Sequence, residues 1–85
     1  MKHATAAALS RLKGLLASVR QLEFMREKSP GVFYCRSKAF LHFHEDPAGL
    51  FADIRTGSDW ERLPLNSKAD EAKLLRRIRS HLPLS

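Results

Sequence analysis

Eighty-five residues with a net charge of +6 and 44% apolar side chains suit one domain, 1–85, around a single core, and exclude a wholly disordered chain. No charge-free stretch approaches the roughly 18 apolar residues of a membrane span. Cys35, the only cysteine, excludes an internal disulfide and a cysteine-based zinc site. A chain this short buries only about 60–65% of its unfolded surface, so partner contacts can add appreciably to a thin stability margin. The excess of 15 Lys and Arg over 9 Asp and Glu favours phosphate-bearing or acidic partners.

Residues 1–4 are expected to be disordered. The opening Met1-Lys2-His3 and the alanines after it resemble the start of a signal peptide. Arg11 and Lys13 interrupt before an apolar region is complete, and the chain is read as cytoplasmic. Thr5 to Lys28 is predicted as one helix, with Leu9, Leu12, Leu16 and Val19 at spacings of three and four and Leu15, Leu22 and Met25 widening the stripe. Gly14 weakens it locally, and Ser29-Pro30-Gly31 ends it.

From Val32 the period becomes two. Val32–Cys35 and Ala39–His44 read as a hairpin joined by Arg36-Ser37-Lys38, and Asp46-Pro47-Ala48-Gly49 reads as a turn into a third strand, Leu50–Arg55. Trp60–Leu65 is a candidate fourth strand, which Pro64 would place at an edge. Asn66 or Ser67 caps a second helix with an apolar stripe of Ala72, Leu75, Ile78 and Leu82 beside Leu74, Arg76, Arg77 and Arg79 near its end, and Pro83 as its stop. The predicted class is α+β, in the order α-β-β-β-(β)-α, an antiparallel sheet with two helices packed on one face.

Two strand registers compete, and a one-residue slip exchanges the faces. Pairing Glu45 with Leu50 sets Phe43 against Ala52, Leu41 against Ile54 and His42 against Asp53. The inner face is then apolar, with Phe33, Cys35, Ala39, Leu41, Phe43, Ala52 and Ile54. The outer face carries Val32, Tyr34, Phe40, His42, His44, Phe51, Asp53 and Arg55. The other register buries two imidazoles, at a cost of a few kcal/mol, so the first is preferred. Cys35 then reads as a small hydrophobe.

The candidate site is the outer face, with Tyr34, Phe40, His42, His44, Phe51, Asp53 and Arg55 as its binding residues. The leading expectation is a non-catalytic domain that forms a homodimer through this face, since aromatic, arginine and histidine side chains around a modest apolar patch suit a two-fold contact. The second is single-stranded nucleic acid, with bases on Tyr34, Phe40 and Phe51 and phosphates on Arg36, Lys38 and Arg55. The third is an enzyme or metal site in which His42 and His44 share an ion with Asp53 or Glu45, or Asp53 orients His42 as a base. No serine elbow or glycine-rich phosphate loop is present. No catalytic residue, metal ligand, cofactor, membrane partner or small-molecule substrate is assigned.

Along Ser37–Arg55 (SKAFLHFHEDPAGLFADIR), and more broadly from Pro30 onward, the chain resembles small uncharacterised bacterial proteins that are stand-alone domains of unknown function. Its Pro30-Gly31-Val32-Phe33-Tyr34 stretch is loosely similar to the MmcQ/YjbR-like families. The resemblance implies a bacterial, cytoplasmic setting and no particular activity.

Overall fold

A computed structural model describes residues 2–81. Within them the chain runs β1 (Lys2–His3), α1 (Ala6–Ser10), α2 (Lys13–Arg20), β2 (Met25–Ser29), β3 (Val32–Cys35), β4 (Lys38–Asp46), β5 (Gly49–Thr56), β6 (Asp59–Pro64) and α3 (Lys68–His81). The fold is α+β. Strands β2 to β6 make an antiparallel meander in chain order, and β1 pairs with β4 beyond the end of β3. Of residues 1–4, expected to be disordered, the three described ones join the sheet: Lys2 pairs with Glu45, His3 with His44, and the Ala4 N–H donates to the Phe43 carbonyl at 3.0 Å, while Met1 lies outside the described residues.

The single helix expected over Thr5–Lys28 is divided. The Thr5 hydroxyl caps α1 by accepting the Ala8 N–H at 3.3 Å. At the break, Arg11 and Leu12 donate three residues back, to Ala8 and Leu9. These tightened turns leave Ala8, Leu9, Leu12, Leu15, Leu16 and Val19 all buried in one core. After α2 the chain does not continue as helix but becomes β2, although Met, Arg, Glu and Lys are good helix formers. Long-range pairing with β3 outweighs that local preference. Pro30 and Gly31 make the turn between them, Gly31 at φ +77° where an L side chain is strained. Glu27 secures the segment: its carboxylate accepts from Arg20 of α2 at 2.7 and 3.0 Å and from the Gly31 N–H at 3.1 Å.

The β4–β5 register is the preferred one, with Glu45 against Leu50, Phe43 against Ala52, Leu41 against Ile54 and His42 against Asp53. One expectation on β4 fails. Pairing with β3 steps from Leu41–Phe33 to Ala39–Tyr34, so Phe40 is an extra residue in a β-bulge. The bulge reverses the alternation at this point. Phe40 is only 6% exposed and belongs to the core, whereas Ala39, assigned inward, is part-exposed. Cys35 is half-buried against the core.

The β3–β4 turn is unusual chemically. Arg36 and Ser37 both have positive φ, 52° and 70°, in a two-residue loop where Asn-Gly is the favoured pair. A left-handed conformation costs a non-glycine residue about 1–2 kcal/mol.

Strand β6 forms as an edge, paired with β5 alone. Ser67 accepts the Asp70 N–H at 3.1 Å while Asp70 accepts the Asn66 N–H at 2.9 Å, a reciprocal cap on α3. Leu74 and Ile78 are its fully buried residues, Leu75 is half-buried, and Ala72, assigned to the stripe, is exposed. Arg77 donates to Glu61 of β6 at 3.0 and 2.7 Å, tying the helix to the edge strand. Leu82 and Pro83 lie outside the described residues. All three helices cover the face bearing Phe33, Phe43, Ala52 and Ile54, leaving the other face of the sheet open.

Candidate functional site

Cross-strand pairing arranges the open face in three rows. One is His3, His44, Phe51 and Pro64; the next is Val32, His42, Asp53 and Arg62. The third runs Arg26, Tyr34 and Ala39, then Arg55 and Trp60. Arg55 spans its middle by donating Nε to the Ala39 carbonyl at 2.6 Å, and its guanidinium lies 4.5 Å from the Trp60 ring centre. Lys28 reaches over Tyr34 at 5.3 Å. Of the residues expected here, Tyr34, His42, His44, Phe51, Asp53 and Arg55 are present, and Phe40 is removed to the core by the bulge.

The face also holds residues that the sequence reading missed. His3 arrives on β1, Arg26 on β2, and Trp60 and Arg62 on β6. For Trp60 and Arg62 a signal existed, since continuing the alternation of β5 across a paired fourth strand sets them opposite Arg55 and Asp53. Nothing in the sequence marked Lys2–His3 as a strand. Trp60, 40% exposed, is the exposed large apolar side chain among the described residues.

Three imidazoles cluster at the centre, with ring centres 5.1 Å apart for His3 and His44, 5.8 Å for His3 and His42, and 6.0 Å for His42 and His44; Trp60 lies 5.0 Å from His42. Burial, with His44 and His3 adding to it, pushes the His42 imidazole below its ordinary pKa. Its Nε2 is buried without a hydrogen-bond partner among the described residues. In one of the alternatives read from the sequence, Asp53 orients His42 as a base. Its carboxylate instead accepts from Arg62 at 2.7 and 2.8 Å and lies 3.1 Å from His44 Nε2, because Arg62 approaches from the far strand and fixes both oxygens. Those bonds hold Asp53 below the usual carboxylate range, which makes it a poor proton acceptor near neutral pH. Among the described residues no three His, Cys, Asp or Glu side chains converge as a metal site.

Arg26, Lys28, Arg55 and Arg62 set four cations on this side, against Asp53 and, at the far turn, Asp46. The surface is thus net positive, with separated aromatic rings between its charges. Comparison with protein-family models, with curated proteins and with solved structures finds no match. Among the described residues no helix is long and apolar enough to cross a membrane.

Proposed function

We propose that the open sheet face binds single-stranded nucleic acid, with Tyr34 and Trp60 stacking bases and Arg26 and Arg55 holding phosphates. The observation that carries this reading is the row Arg26, Tyr34, Arg55, Trp60, in which cations and rings alternate across the sheet. Neighbouring strands lie about 4.8 Å apart, so Tyr34 on β3 and Trp60 on β6 stand roughly 14 Å apart. That span suits two or three unstacked bases, the number that the sheet of an RNA-recognition domain seats. A cytoplasmic setting goes with such a partner.

Self-association, the leading expectation from sequence, has less support. Phe40, counted among its apolar contacts, faces the core. A two-fold contact through this face would also set one net-positive surface against its own copy, while Asp53 already serves Arg62 and His44.

Trp60 is the only tryptophan, so its fluorescence reports directly on the face. A mixed-sequence single strand at about 0.15 M salt, where loose charge attraction is well screened, should quench it saturably. Tyr34→Ala should weaken binding roughly 5- to 150-fold, the equivalent of about 1–3 kcal/mol for one stacked base. Two phosphate contacts predict a log–log salt slope of about −1.4. Absence of saturable quenching, or a Tyr34→Ala variant that binds as tightly as the parent, refutes the proposal.

A further inference from the structure

A cavity of about 540 Å³ opens where β2 and β3 meet, beside the first ring of the aromatic row. Its walls include Arg26, Lys28, Arg36, Tyr34 and Ser37, with Glu23 as the acid. None of the three cations is within ion-pair distance of an acid among the described residues. Arg36 and Ser37 are also, among the described residues, the two non-glycine residues held at positive φ. The fold thus keeps an unfavourable backbone at the turn that brings a third cation to this cavity.

From this geometry we infer that the cavity receives a terminal phosphomonoester of the bound strand, an inference that rests on the nucleic-acid reading above. Three cations and one carboxylate leave a formal charge of +2. A phosphomonoester carries about −1.5 to −2 at pH 7, whereas a backbone diester carries one negative charge. Position agrees with charge. The cavity lies at the edge strand β2, at the end of the row opposite Trp60, within reach of the last nucleotide of a strand laid along the row. Lys28, now over the Tyr34 ring, moves from the ring to the phosphate as the terminal base takes its place.

The test compares one oligonucleotide with hydroxyl ends, with a 5′-phosphate and with a 3′-phosphate, bound to the full chain and followed by Trp60 fluorescence. One phosphorylated strand is expected to bind about tenfold tighter than the hydroxyl-ended one. Arg36→Asn should return that ratio to about one. Asparagine tolerates the left-handed turn, so the variant removes the cation and keeps the backbone; Lys28→Gln supplies a second variant away from the turn. The ratio between ends is the decisive readout, because a general loss of charge attraction lowers both affinities together. Inorganic phosphate is titrated alone as a probe of the free ion. Equal affinities for all three strands, or a ratio unchanged in both variants, overturns this inference and leaves the nucleic-acid reading standing. Half-saturation by inorganic phosphate at a lower concentration than the phosphorylated strand overturns the assignment to a strand end. If no strand binds, the inference falls together with the reading beneath it.

Discussion

Replacing Phe40 by alanine separates two locations for one aromatic ring. On an open face the truncation changes stability by no more than about 0.5 kcal/mol. In the core it removes a large side chain that is 6% exposed and belongs to the same cluster as Leu41 and Ile54. Buried phenylalanine-to-alanine changes cost about 3–5 kcal/mol, and the neighbouring Leu41, paired with Phe33 on one side and Ile54 on the other, limits how far the backbone can collapse into the gap. For a domain of this size, where about 1 kcal/mol moves the midpoint by roughly 4–8 °C, the melting temperature should fall by at least 12 °C. Urea unfolding followed by far-ultraviolet circular dichroism supplies the free energy, and an unchanged slope with denaturant shows that the folded state remains intact. A loss below about 1 kcal/mol would refute the inward placement of Phe40 and return it to the candidate face.

Stability should decline as the pH falls from about 6.5, because the folded state holds His42 below its ordinary pKa while the unfolded chain takes up the proton at the usual value. The contribution is fully present above the unfolded value and has been lost once the pH is below the folded one. His44, His3 and Arg55 oppose the charged form and Asp53 favours it; His42→Gln should flatten the urea midpoint between pH 7 and pH 5, and an equally steep profile in that variant would show that another group is responsible. Ser37→Gly should raise stability by about 0.5–1 kcal/mol, since glycine relieves the positive φ at the β3–β4 turn at some cost in unfolded-chain entropy; a destabilised variant in the same urea assay would count against strain at this position.

The sequence made the central hairpin legible because its two registers differ sharply in cost. One packs Leu41, Phe43, Ala52 and Ile54 together, and the other buries His42 and His44. Turn chemistry at Asp46–Gly49 and a cap at Asn66 or Ser67 were equally readable, being local and tied to particular side chains. What escaped depends on distant partners. Met25–Ser29 has the composition of a helix, and only the β3 edge and the Glu27 contacts make it a strand. Phe40 shows the limit of alternation itself, since a bulge leaves no mark in a pattern of apolar and polar residues. His3 reaches the site through a two-residue strand held by β4, and Trp60 needed a fourth strand paired in register. The candidate face was therefore visible at its centre, in His42, His44, Asp53 and Arg55, and obscured at its margins.

The meander has a consequence for how the chain reaches this structure. From β3 to β6 every strand pairs with its predecessor, so each new hairpin closes a short loop at small entropic cost, the topology associated with rapid folding. The contact between the Thr5 N–H and Glu45 spans 40 residues, and β1 must wait for β4 before it has an edge to join. The amino-terminal strand thus completes a sheet that has already formed, and His3 is the last of the three imidazoles to arrive. The region most exposed to opening from the native state lies at that seam, where amide exchange should be fastest among the paired strands.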